Sequence, residues 1–255
     1  MRVGVYIDGY NLYYGGKTVC HDEQSWKWLN PRVLADGAMR SQLDFARTKG
    51  WTPILSGWTG AQVSRVVYCT ARVDAVQSPS AHTDQDKYLK ALTNAGAVDW
   101  IEYGNYVSRV KYAPLALRQP NGRPELATAD WPVMVQDSAG NKVDDARFLV
   151  SYWHNEEKGS DVNVASHLLI DLFAETIDAA IVVSNDSDLK LPVAHARTRI
   201  PVGILNPRGG PSAGDLRPDH HPGQGPHWNR GLTVPDYVGS QMPDSVGNVT
   251  KPQEW

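Results

Sequence analysis

The sequence predicts an α/β fold: a mostly parallel sheet covered on both faces, with a β-hairpin-rich insertion in its middle. Three observations predict it. Short apolar runs alternate with amphipathic stretches, acidic residues follow directly on two of those runs, and the alternation breaks between residues 107 and 154. Parallel strands buried on both faces read as continuous apolar runs, which is the pattern here.

The first run, Val3 to Ile7, is a buried strand that ends at Asp8. Pro31 to Arg47 carries Val33, Leu34, Ala38, Leu43 and Phe45 in a weak helical pattern interrupted by Gly37. Ser64 to Ala71 is a second strand. His82 to Ala95 sets Tyr88, Leu89 and Leu92 on one helical face and stops at Gly96, before a third strand at Val98 to Tyr103. From Val107 to His154 strand-like pieces (VSRVKYAPLAL, WPVMVQD, ARFLVSYW) are separated by PNGRPE and DSAGNK, turn signals that predict hairpins. Flanking α/β elements make this an elaboration within one domain, residues 1–207. After Gly159, residues Val162, Ala165, Leu169, Leu172 and Phe173 define a helix face. Ile177 to Ser184 is a strand, SDLKLPVAHAR a short helix and Ile200 to Leu205 a last strand. Residues 208–255 begin rich in Gly, Pro and His and are expected to be an irregular extension, with His220, His221 and His227 on the surface.

Composition narrows the function classes. Hydrophobic residues are 41% and charged residues 21% of the 255, a globular balance. No stretch approaches the roughly 20 apolar residues that cross a bilayer, so no membrane role is expected and a cytoplasmic location is the default. Two cysteines, Cys20 and Cys69, make neither a disulfide framework nor a zinc pattern. The net charge of -3 means that a polyanionic partner needs a local basic surface or a metal.

In parallel sheets functional groups gather at the carboxyl ends of the strands. Asp8 ends the first strand, with Gly9 allowing a close turn and Asn11 three residues on. Its bland role is to bond its own turn. Asp186 and Asp188, in Ser-Asn-Asp-Ser-Asp, follow the strand AAIVVS; helix capping is the simpler account of one of them. Asp161 lies in line with Ala165, Leu168 and Leu172, where a carboxylate costs desolvation unless it caps the helix or meets a cation. Three acids at one sheet edge suit a hard divalent cation, Mg²⁺ or Mn²⁺, able to generate a hydroxide and stabilise phosphoryl charge. The chemistry expected is phosphodiester hydrolysis. No G-x-G-x-x-G follows the first strand, and Walker and G-x-S-x-G motifs are absent.

Asp8-Gly9-Tyr10-Asn11, Lys158-Gly159-Ser160-Asp161 and Ser184-Asn185-Asp186-Ser187-Asp188, in that order, resemble the NYN family of PIN-like nucleases. Thr70 to Asp74 and Tyr88 to Leu92 are similar to its bacterial group. The resemblance implies a PIN-like three-layer α/β/α sandwich and Mg²⁺- or Mn²⁺-dependent endonucleolytic cleavage of RNA. It implies Asp8, Asp161 and Asp186 as metal ligands, Asn11 as a supporting polar residue and Asp188 as a further acid. Lys158, Lys190 and Arg72 are the candidate contacts to single-stranded or structured RNA, and Arg109, Lys111 and Arg118 give the insertion a basic side. A non-catalytic RNA-binding module of the same fold and a nuclease acting on DNA are the alternatives; a homo-oligomer is compatible with either.

Overall fold

A computed structural model describes residues 1–21, 25–126, 137–143, 149–218 and 225–255. The expected strand WPVMVQD up to Gln136, the ARF ahead of Leu149, and both His220 and His221 lie outside the described residues.

The chain runs β1 (Arg2–Asp8), α1 (Gly9–Cys20), α2 (Pro31–Thr48), α3 (Thr52–Gly57), β2 (Gln62–Ala71), α4 (Pro79–Asn94) and β3 (Trp100–Pro114). It continues through β4 (Ala116–Arg118), β5 (Pro124–Leu126), β6 (Leu149–Lys158), α5 (Ser160–Phe173), β7 (Ala179–Val183), α6 (Lys190–Arg197) and β8 (Val202–Asn206). The last elements are β9 (Trp228–Gly231), α7 (Val234–Val238), β10 (Ser245–Val246) and β11 (Val249–Thr250). Contacts gather these into two compact units, Met1–Tyr106 with Glu157–Trp255, and Val107–Glu156. In the smaller unit β4 and β5 form an antiparallel pair, and Arg109 and Lys111 both face Glu156.

The main sheet has the strand order β6-β3-β2-β1-β7-β8-β9. β1 pairs in parallel with β2 and β7, and the ladders β2–β3, β7–β8 and β8–β9 are parallel too. The mixed α/β fold with a mostly parallel sheet is therefore as expected. Alternation along β1 divides the core into two layers. Val3, Val5 and Ile7 pack with Leu12 of α1, Leu34, Ala38 and Met39 of α2, and Leu89 and Leu92 of α4. Tyr6 points to the other face, with Val164, Leu168 and Leu172 of α5 and Val193 and Ala196 of α6.

Two expectations are corrected. Val162 and Phe173 of α5 are exposed, and the buried line is Ser160, Val164, Leu168, Asp171 and Leu172. The stripe is turned because Asp171, although charged, is drawn inward: its Oδ2 lies 2.7 Å from Arg65 Nε and accepts from the Tyr6 hydroxyl at 2.8 Å. A buried carboxylate with two such partners is tolerated where an unpaired one is not. Likewise the chain beyond 207 is built into the fold. Trp228 of β9 packs on Trp58 while its strand extends the sheet, Tyr237 is fully buried, and the His227 ring accepts the Val202 amide through Nδ1 at 3.0 Å. Glycine and proline content signals turns; it carries no information on the aromatic anchors between them. Among the described residues no helix is long and apolar enough to cross a membrane.

Candidate functional site

The strand order reverses direction at β1: β2 and β3 lie to one side of it, β7 and β8 to the other. The crevice above the carboxyl ends of β1 and β7 is the topological switch point, where open α/β sheets take their ligands. Asp8 from β1 and Ser184, Asn185 and Asp186 from the turn after β7 meet there.

Asp8 caps α1. Its Oδ1 accepts the Asn11 amide at 3.0 Å and its Oδ2 the Ser184 hydroxyl at 3.4 Å, and the residue is only 6% exposed. Gly9 is required beside it, since a Cβ there would stand 2.8 Å from the Tyr68 ring and 2.9 Å from the Cys69 carbonyl oxygen. Burial raises the Asp8 carboxyl from its ordinary 3.8 to about 6; the charges of Glu157 and Asp186 push the same way, against the Asn11 amide and Ser184 hydroxyl. Near neutral pH this group can gain or lose a proton. Burial, with the charges of Asp8, Glu102 and Glu157, pushes the neighbouring Cys69 thiol up to about 12, so it stays protonated.

Asn11 turns its Oδ1 to the Asn185 amide at 3.2 Å, and Asn185 in turn accepts the Ala213 amide at 2.7 Å. These bonds tie the two strand-end turns together. Asp186 caps the short 3-10 turn Ser187–Leu189 by accepting the Asp188 amide at 3.0 Å. Asp188 is exposed on that turn. Asp161 is half-buried in the first turn of α5, and its carboxylate has no hydrogen bond or ion pair among the described residues. The simpler reading of Asp8 and Asp186 is thus realised: each is a cap. Among the described residues no group of three His, Cys, Asp or Glu side chains is disposed to hold a metal ion. The residues expected as Mg²⁺ or Mn²⁺ ligands do not form such a cluster, so no chemical step is routed through a metal.

The candidate phosphate contacts are engaged as well. Lys190 Nζ pairs with Asp215 Oδ1 at 2.7 Å, and Arg72 pairs with Asp86 at 3.3 Å and covers the Tyr103 ring at 5.0 Å; Lys158 is exposed at the end of β6. Glu157, which the sequence reading passed over, accepts the Ser160 amide at 3.1 Å and directs its charge at Asp8. Its only signal was its place just ahead of the Lys158-Gly159 turn.

Beside Asp8 a cavity of about 410 Å³ opens between α1, α4 and the chain terminus. Tyr10, Tyr13, Tyr14, Trp26, Tyr88 and Trp255 form its walls; Tyr68 and Thr70 of β2 form its floor, and Tyr106 and Lys27 reach it from the side. The rings contact one another, Tyr13 with Trp26 at 5.4 Å and Tyr88 with Trp255 at 5.6 Å between centroids. The spacing of Tyr10, Tyr13 and Tyr14 along α1 was the sequence signal for one wall.

No protein-family model matches the chain. It is similar to the 6-hydroxy-3-succinoylpyridine 3-monooxygenase of Pseudomonas putida, 24% identical over 216 residues, which are 82% of this chain and 61% of that enzyme. The chain thus spans about three fifths of the length of the relative it matches. A crystal structure of a protein of unknown function from Vibrio parahaemolyticus overlaps 91% of this chain and 93% of its own at 13% identity, with a TM-score of 0.43, too low to carry an argument. The relative is by name an oxidoreductase. That finding overturns the expectation of a metal-dependent endoribonuclease, and with it the RNA-binding and DNA-cleaving alternatives. The physical reason for the misreading is that acids following parallel strands are used here as caps of the elements that follow, and caps and metal ligands look alike in a sequence.

Proposed function

We propose that this chain is an enzyme of the oxidoreductase type that inserts one oxygen atom into a small aromatic substrate held in the cavity beside Asp8. The observation that carries the reading is that cavity: aromatic walls and a floor on which the Tyr68 and Thr70 hydroxyls open. Aromatic walls hold a flat ring by offset and edge contacts, and about 410 Å³ is within the range of small-molecule sites. The similarity to a monooxygenase named for a hydroxypyridine supports the same class of substrate.

In such a reaction one atom of dioxygen is inserted into a bond of a ring carbon, to hydrogen or to an acyl substituent, and the other leaves as water. An external two-electron reductant, of the reduced nicotinamide class, supplies a hydride, and one proton from solvent completes the balance. The residues of this chain bind and orient the ring: Tyr10, Tyr13, Tyr14 and Trp26 flank it and Tyr68 and Thr70 line the floor, while Asp8 stands outside the lining, in the turn next to it. On this reading the resemblance of the acidic turns to NYN and PIN-like proteins concerns the scaffold, which here carries a different chemistry.

The test is oxygen uptake by the protein with 6-hydroxy-3-succinoylpyridine and a reduced nicotinamide, under ¹⁸O₂, with products weighed by mass spectrometry. Substrate-dependent uptake and a product containing one labelled oxygen are expected. Binding of the compound without uptake would remove the monooxygenase reading and leave a binding protein.

A further inference from the structure

The floor of the cavity is made by two residues of one strand face. Tyr68 and Thr70 are successive inward residues of β2, 6% and 3% exposed, and both line the cavity. Among the described residues neither hydroxyl has a hydrogen-bond partner. The other buried hydroxyls of the walls are engaged: Tyr88 donates to the Leu29 carbonyl at 2.9 Å, Tyr237 to Pro207 at 2.6 Å, and Tyr10 to Ala71 at 3.3 Å. The contrast matters because the Tyr68 and Thr70 hydroxyls are not sealed in the interior but open onto the cavity, where what fills it can pair with them.

We propose that Tyr68 and Thr70 form the recognition subsite for an oxygen substituent on the aromatic ring, so that the cavity selects hydroxylated or keto rings over unsubstituted ones. This rests on the reading of the cavity as the substrate site and names the substrate class it takes. A flat ring flanked by Tyr10, Tyr13, Tyr14 and Trp26 that turns its oxygen to the floor faces a surface that carries the Tyr68 and Thr70 hydroxyls. Burial, with the charge of Asp8 behind it, pushes the Tyr68 phenol far up, so it remains a donor throughout the physiological range. Thr70 can donate or accept, and it suits either tautomer of a hydroxypyridine. A ring without the oxygen leaves both hydroxyls buried and unpaired, and sites of that kind reject such analogues strongly.

Calorimetric titration of the full chain with 6-hydroxynicotinate and with nicotinate tests this. The two differ by the ring oxygen alone. The wild type is expected to bind the hydroxylated compound at least about tenfold more tightly. Tyr68→Phe and Thr70→Val should each reduce that preference, and the double variant should abolish it, losing affinity for the hydroxylated compound and gaining it for nicotinate, which no longer leaves hydroxyls unpaired. Both replacements keep the buried shape, and melting temperatures verify folding. Equal binding of the two compounds by the wild type, or a preference that survives in the double variant, overturns the subsite and leaves the cavity reading standing. Failure of both compounds to bind overturns the subsite and the cavity reading together.

Discussion

Replacing Asp8 by asparagine isolates the electrostatic load at the junction of β1 and α1. The amide oxygen so introduced can still accept the Asn11 amide, so the cap survives, while the buried charge is lost. In the folded chain the Asp8 carboxyl titrates at about 6 instead of 3.8. Between those values the folded chain holds a proton that the unfolded chain has released. Stability therefore falls as pH rises across that window, and the part due to Asp8 is fully present only below about pH 4. At 1.36 kcal/mol for each tenfold change the displacement amounts to about 3 kcal/mol, an upper bound because the new amide must find its own partners. Asp8→Asn should accordingly exceed the wild type in stability by about 1–3 kcal/mol at about pH 8 and by roughly nothing at about pH 4. In melting temperature the gain at the higher pH is about 3–10 °C for a chain of this size. Urea unfolding of both proteins across that pH range reads the difference directly. Other titrating groups cancel in the comparison. A difference that does not change with pH, or a variant less stable than the wild type at about pH 8, would refute the assignment of buried, like-charged strain to this carboxyl.

Burial depresses the His227 imidazole from 6.5 to about 4, so the folded chain binds its proton later than the unfolded one and loses stability as pH falls through that interval. His227→Gln should flatten the acid limb of the melting curve; an unchanged limb would show that other groups set it. Gly203 lies under the Trp228 indole, and a Cβ there would penetrate the ring, so Gly203→Ala should cost about 2–3 kcal/mol by overpacking. A neutral result in urea unfolding would mean that β9 is free to move away. Asp171→Ala strips Tyr6 of its acceptor and Arg65 of its counter-charge and should cost about 2 kcal/mol, less than a fully buried pair because Arg65 is partly exposed. Tyr6→Phe should cost about 1 kcal/mol in the wild type and much less in the Asp171→Ala background; equal costs in the two backgrounds would deny the coupling.

The parallel scaffold was legible wherever a strand was buried on both faces, because such strands read as unbroken apolar runs. β1, β2, β7 and β8 were found in this way, and Asp8 and Asp186 were correctly placed at strand ends. Their use was not legible. A cap and a metal ligand call for the same carboxylate at the same position, and which it becomes depends on what faces it across the crevice. Asp8 faces Ser184, Glu157 and Asp186, and the three come from two different turns. The inward face of α5 was misjudged for a related reason: the partners of Asp171 are Tyr6 and Arg65, more than 100 residues away. The same distance hid the chain beyond 207, whose Trp228 and Tyr237 pack on elements near the other end of the sequence.

By itself, then, the sequence determined the alternation of strands and helices, the break at Val107 and the placing of acids at strand ends, since each depends on spacing within a short segment. Tertiary structure alone decided the strand order that sets the switch point between β1 and β7 and the displacement of the Asp8 carboxyl. It also brought Tyr10, Tyr68, Tyr88 and Trp255 together around one cavity. Those properties arise from burial and from charges and rings meeting across long intervals of chain, and local patterns contain no record of such meetings.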